Sequence, residues 1–127
     1  MIVVDASVVV LALLHDGDAR AALSSQPCST THLADPEVTQ AIAGQERRGT
    51  ITASQGAAAI ATWARLGIDR HPTTALLARM WELRHNITAY DASYVALAEA
   101  LGCVLWTADG RLARAPGPRS PITLVRT

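Results

Sequence analysis

The most constraining feature of this chain is an alternation of short strand-like runs, the first and fourth of them wholly apolar, with helix-length segments. Ile2-Val3-Val4 is the first run. A strand with one solvated face alternates apolar and polar residues; a continuous apolar run is the signature of a strand covered on both faces, as in a parallel sheet. Asp5 interrupts the run and can cap a helix over Val8–Leu14. Asp18–Ser25 reads as a short helix between Gly17 and Pro27. Cys28–His32 follows as a second strand. Helices are then expected over Leu33–Arg48, ended by Gly49, and over Ser54–Leu66, ended by Gly67. Ile68–Pro72 is a third strand, and Thr74–His85 a helix with Leu76, Leu77, Met80 and Leu83 as its apolar face. Thr88-Ala-Tyr-Asp91 has the form of a capping box and opens a helix that runs to Leu101 before Gly102. Val104-Leu105-Trp106 is a fourth strand, Arg111–Ala115 a short basic helix after the Asp109-Gly110 turn, and Ile122–Val125 the last strand. Strands alternating with helices imply an α/β sandwich on a mainly parallel sheet. The 127 residues read as one domain, 1–127, without repeat or linker.

Composition removes several chemistries. Half the residues are apolar, 24 are Ala, and neither Lys nor Phe occurs. Without Lys there is no P-loop, Schiff base or kinase-type phosphate clamp. The phosphatase and receiver folds that also place Asp after a first strand lack their Lys here. Eleven Arg balance eleven acids, so nucleic-acid binding would need a local basic patch rather than overall charge. Cys28 and Cys103 have no zinc spacing and read as small buried hydrophobes. The N-terminus carries no basic segment and its apolar stretch is broken by Asp5. Neither a signal peptide nor a membrane span is expected, and a reduced, cytoplasmic setting is.

Four acids are placed unlike the others. Asp5 and Asp109 fall just after buried strands. Asp91 lies in the first turn of a helix, on the stripe of Val95 and Ala98. Glu37 lies near the start of its helix, with Leu33 and Ala41 on one stripe and Val38 and Ile42 beside it. Each has an ordinary reading, as a cap, a first-turn acid or a turn residue. Open α/β sheets, however, bind ligands at the carboxyl ends of their strands, where these acids could converge. Two carboxylates ~4 Å apart repel by ~4 kcal/mol at an effective dielectric of about 20. A cluster of four therefore calls for protonation or a divalent cation, and hard oxygen donors select Mg²⁺ or Mn²⁺. Such a site suits phosphodiester hydrolysis.

The segments Ile2-Val-Val-Asp5-Ala-Ser7, Asp35-Pro-Glu37-Val, Tyr90-Asp91-Ala-Ser-Tyr-Val-Ala-Leu-Ala-Glu99 and Thr107-Ala-Asp109-Gly-Arg-Leu112 together resemble PIN domains, and more narrowly the VapC toxins of type II toxin–antitoxin systems. The resemblance covers essentially the whole chain, and Tyr90–Leu112 is its most specific part. It implies a three-layer sandwich on a parallel sheet of about five strands. It also implies an Mg²⁺- or Mn²⁺-dependent endoribonuclease that inhibits translation by cutting transfer or ribosomal RNA. Asp5, Glu37, Asp91 and Asp109 would be its catalytic acids, Asp5 and Asp91 touching metal directly. Ser7 and Thr107 would orient carboxylates or water. It further implies a VapB-like antitoxin, a homodimer, and operator DNA bound only through the antitoxin complex. Gly44 within the Glu37 helix departs from the pattern, as does the lack of any acid after Asp109.

Of the basic residues, Arg111 and Arg114 are the best candidates for an RNA-binding patch, because they follow Asp109 closely; Arg47, Arg48 and Arg119 are weaker ones. Trp63 and Trp81 suit core or dimer packing better than base stacking, and the four His have no ligand spacing. Two rival readings use the same residues: a metal-dependent nuclease or phosphatase with a DNA or small substrate, and a non-catalytic PIN-like module that only holds a partner.

Overall fold

The computed structural model describes residues 1–126. Five strands form a single parallel sheet: β1 (Ile2–Val4), β2 (Cys28–Thr31), β3 (Asp69–His71), β4 (Val104–Thr107) and β5 (Ile122–Leu124). Their spatial order is β3-β2-β1-β4-β5. The chain steps outward from β1 to β3, then returns to the other side of β1 for β4. The carboxyl ends of β1 and β4 thus flank the point where strand order reverses, the usual ligand crevice of an open α/β sheet. Val4 pairs with Trp106, so Asp5 emerges opposite Thr107, and the Asp5 amide donates to the Trp106 carbonyl at 3.2 Å.

Among the described residues seven α-helices accompany the sheet: α1 (Ala6–Leu14), α2 (Asp18–Ser25), α3 (Ala34–Arg47), α4 (Ala53–Arg65), α5 (Leu77–Glu82), α6 (Ala89–Leu101) and α7 (Gly110–Arg114). The α1 helix packs on β1 and β4 and gathers α2, α3 and α4; α6 packs on β1, β2 and β4 and carries α5. Both helices cover β1 and β4, so they take opposite faces. All three residues of β1 are buried as a result. The α6 helix buries every residue from Ala92 to Ala98, which is why its sequence is small and apolar rather than amphipathic. Thr88 caps its start, and Gly102, at φ 65°, ends it in the left-handed region that favours glycine.

Four local expectations are corrected. The segment expected as one helix over Thr74–His85 divides into a 3₁₀ turn (Thr74–Leu76) and α5, which ends at Glu82. No side chain caps either start. Of the four apolar residues, Leu76 and Leu83 are buried, whereas Leu77 faces solvent. The α4 helix begins one residue earlier than expected, because Thr52 and Gln55 form a reciprocal capping box. The edge strand β3 keeps only Asp69–His71 of the expected five residues. In α3 the core-facing stripe is Ala34, Val38 and Ile42, which places Glu37 on its flank and Ala41 outside.

Trp63 joins the core at 3% exposure, while Trp81 stays 67% exposed with the Arg84 guanidinium 4.2 Å above its ring. Both cysteines are free thiols; burial pushes the Cys28 thiol up, which keeps it protonated and inert. Among the described residues no helix is long and apolar enough to cross a membrane.

Candidate active site

Asp5 is both the cap of α1 and the centre of a polar cluster. Its Oδ1 accepts from the Val8 amide at 3.1 Å and from the Ser7 hydroxyl at 2.6 Å. Its Oδ2 accepts from the Thr107 hydroxyl at 2.5 Å. The same two hydroxyls hold the loop after β4: Ser7 Oγ accepts from the Ala108 amide at 2.9 Å, and Thr107 Oγ1 from the Asp109 amide at 3.0 Å. Ser7 and Thr107 therefore orient Asp5 and fix the segment that carries Asp109. Asp5 is only 4% exposed. Burial, with some repulsion from Asp91, pushes its pKa up from 3.8 to about 6 against the pull of these hydrogen bonds.

Asp91 stands at the solvent end of the buried α6 stripe. The Thr88 hydroxyl accepts from the Asp91 amide at 3.1 Å, but the return bond to the Thr88 amide is not made, so the capping box expected there is half formed. The carboxylate is left to face the cleft. Partial burial and then the Asp109 charge push its pKa up, against Thr88 and Arg111. Asp109 caps α7 by accepting from the Arg111 amide at 2.9 Å. Asp91, Asp109 and Arg111 line one cleft of about 190 Å³ with Asn86, Ile87, Thr88 and Leu112.

Glu37 is held by an aromatic residue of the buried α6 stripe. Tyr94, on α6 one turn beyond Asp91, donates its hydroxyl to Glu37 Oε1 at 2.6 Å. The phenol is 1% exposed. Burial and the Glu37 and Asp5 charges push it far up, so it remains a donor at any physiological pH. A second tie fixes the first turn of α3. Asp35 Oδ1 accepts from Trp63 Nε1 at 2.8 Å and from Arg70 Nε at 2.9 Å, with the Arg70 guanidinium 4.1 Å over the Trp63 ring.

The four acids thus come from β1, α3, α6 and α7 to one rim. Asp5 feels Asp91, Asp91 feels Asp109, and Tyr94 joins Glu37 to the neighbourhood of Asp5. They are not packed as a finished cage: among the described residues no three His, Cys, Asp or Glu side chains converge closely enough to form a metal-binding group. Three of the four are occupied locally, Asp5 by its hydroxyls, Asp109 by the α7 cap and Glu37 by Tyr94. The donor set nevertheless fits a hard divalent cation. It is all carboxylate oxygen, one member is buried, and burial, with repulsion between the acids added to it, raises the pKa of two of them. Arg111 is the nearest cation, its Nε 3.9 Å from Asp109 Oδ1, and its side chain is 91% exposed. Arg114 is exposed on the same helix. Arg119 instead lies beside Glu99, to which its amide donates at 2.8 Å.

Comparison with known proteins identifies the family. The PIN domain model matches residues 2–118. Ribonuclease VapC9 of Mycobacterium tuberculosis is 46% identical over 125 residues, covering 98% of each chain. Ribonuclease VapC1 of the same organism is 42% identical over 129 residues, covering 98% of this chain and 97% of the other. VapBC2 of Rickettsia felis, solved bound to a DNA fragment from its promoter, aligns with a TM-score of 0.71. That alignment covers 99% of this chain and 100% of the other at 13% identity, a likeness of fold alone. A five-stranded parallel sheet with Asp5 and Asp109 at its switch point, and relatives this similar over nearly their full length, place the chain in the PIN-domain family, among the VapC proteins.

Proposed function

We propose that this protein is a divalent-metal-dependent endoribonuclease, the toxin of a type II toxin–antitoxin pair. The observation that carries the reading is the buried Asp5 carboxylate, held by Ser7, Thr107 and Val8 at the switch point and close enough to Asp91 to feel its charge. Burial raises the pKa of this carboxylate, with a small addition from the Asp91 charge, so holding it at this rim is costly without a purpose. The full-length similarity to proteins named VapC ribonucleases supports RNA as the substrate.

Asp5, Asp91, Asp109 and Glu37 would hold the ion, Mg²⁺ or Mn²⁺. Bound there, it would supply Lewis-acid stabilisation of charge developing on the phosphate and a more acidic attacking water. Asp5 is kept in one orientation by its two hydroxyl donors, so little reorganisation remains at the moment of reaction. The Ala108 and Asp109 amides, tied to the same hydroxyls, fix the far wall of the cleft. Arg111 and Arg114 provide cations beside the acids for the flanking RNA phosphates. The partner is a VapB-like antitoxin that covers this rim. A homodimer, and operator DNA bound through the antitoxin, complete the assembly, and the target is a transfer or ribosomal RNA.

The test is cleavage of total bacterial RNA by antitoxin-free protein, with Mg²⁺, with Mn²⁺ or with EDTA, beside Asp5→Asn. Discrete fragments that need the metal and vanish in the variant are expected. Folded protein that cuts nothing under any metal, or a variant as active as the parent, would overturn the reading.

A further inference from the structure

We propose that Tyr94 is a positioning residue of the acidic site, its buried hydroxyl holding Glu37 so that one carboxylate oxygen stays free to face Asp5 and Asp91. The inference rests on the metal-dependent reading above and adds a residue to it.

The geometry is specific. Glu37 sits on the flank of α3, half-buried, at a distance of 57 residues along the chain from Tyr94. A free glutamate at such a position samples several rotamers. Here Oε1 is engaged by the phenol at 2.6 Å, the short distance of a hydroxyl donating to a carboxylate. A carboxylate has two oxygens with lone pairs to spare, so Oε2 remains available. Tyr94 is embedded in the most completely buried run of the molecule, Ala92 to Ala98, so its ring cannot swing. Asp91 lies three residues earlier on the same helix, and the two side chains share a face. The α6 helix therefore contributes one acid directly and orients a second. Loss of the Tyr94 hydroxyl would release Glu37 while leaving both acids in the sequence.

A packing role alone would make Glu37 an incidental acceptor for a buried phenol. Tyr94→Phe separates the two roles, since it keeps the ring and removes only the donor. Metal-free wild type, Tyr94→Phe, Glu37→Gln and the double variant are titrated with Mn²⁺, following free Mn²⁺ by electron paramagnetic resonance. Thermal melts and RNA cleavage are run beside the titrations. Tyr94→Phe is expected to weaken Mn²⁺ binding about tenfold or more, the usual loss when a group orienting a ligand is removed, with little change in melting. In the Glu37→Gln background it is expected to have no further effect. Unchanged Mn²⁺ affinity in Tyr94→Phe would overturn the positioning role, whatever happens to the melt. An equal loss in both backgrounds would also overturn it, since Tyr94 would then act other than through Glu37. Wild-type protein that binds no Mn²⁺ overturns both proposals at once. Mn²⁺ binding without RNA cleavage overturns only the ribonuclease, and the Tyr94 coupling is then decided by the affinities.

Discussion

Replacing Asp5 by Asn should stabilise the metal-free protein while destroying its site. The carboxylate is 4% exposed and its pKa rises from 3.8 to about 6. At about 1.4 kcal/mol per pKa unit, keeping it ionised in the folded state costs roughly 3 kcal/mol. The amide removes that charge with almost no change of shape. Its oxygen can keep the Ser7 and Val8 bonds. Its NH₂ meets Thr107 Oγ1, which already accepts from the Asp109 amide and has a second lone pair. The neutral bonds are weaker than the charged ones, so a net gain of about 1–3 kcal/mol is expected at pH 7.5. The folded state binds a proton at Asp5 more tightly than the unfolded chain does. Wild-type stability therefore falls as pH rises from about 4 to about 6, and the Asn variant lacks that slope. The two proteins should differ most above pH 6 and converge near pH 4. Urea unfolding in EDTA at pH 4, 5, 6 and 7.5 reads this directly. A variant no more stable than wild type at pH 7.5, or a gap independent of pH, would refute the argument that Asp5 is held at a cost. Added Mn²⁺ should narrow the gap, because it stabilises only a protein that binds it.

Three other perturbations probe the scaffold and the basic edge of the cleft. Gly44→Ala should stabilise by about 0.5–1 kcal/mol in urea unfolding, because the helix runs through this position and a new Cβ meets only the flexible ends of Arg48, at 3.2 Å, and Arg47, at 3.7 Å. Arg79→Ala should destabilise by about 3 kcal/mol, since Arg79 Nε bonds Glu99 Oε1 at 2.7 Å with both side chains mostly buried. Burial alone would raise the Glu99 pKa, but Arg79 and the Arg119 amide hold it below the ordinary carboxylate value. That contribution is present above pH 4.5 and disappears as pH falls through the lowered pKa, so the Arg79→Ala deficit should shrink in acid-titrated melts. Arg111→Ala should reduce the salt dependence of RNA binding by about one counterion, measured with the inactive Asp5→Asn protein as background. An unchanged slope would remove Arg111 from the patch.

Most of the scaffold was legible because its boundaries are set by local chemistry. The α2 helix spans Asp18–Ser25 as spacing demands, since Gly17 and Pro27 leave no other ends. The α6 helix is bounded by Thr88 and Gly102 for the same kind of reason. Asp5 stood out because it directly follows a wholly apolar strand, at the edge where an open α/β sheet binds ligands. The failures came where tertiary packing decides. Nothing in Thr74–His85 distinguishes a continuous helix from a 3₁₀ turn followed by six helical residues. The difference lies in which of Leu76 and Leu77 finds the core.

Tyr94 was illegible for a deeper reason. A tyrosine among Ala, Val and Leu at helical spacing reads as packing, and its packing is real. What sets it apart is a hydroxyl aimed at a carboxylate 57 residues away, and periodicity carries no information about such a pair. The acids themselves show the converse. Asp5 and Asp109 are caps of α1 and α7, so the ordinary reading of each is correct and does not exclude the other. Capping fixes one oxygen of each carboxylate against backbone amides at the carboxyl ends of β1 and β4. A cap at that edge of a parallel sheet is also a rigid mount, and a site that must hold several like charges together gains from having each mounted on a different element.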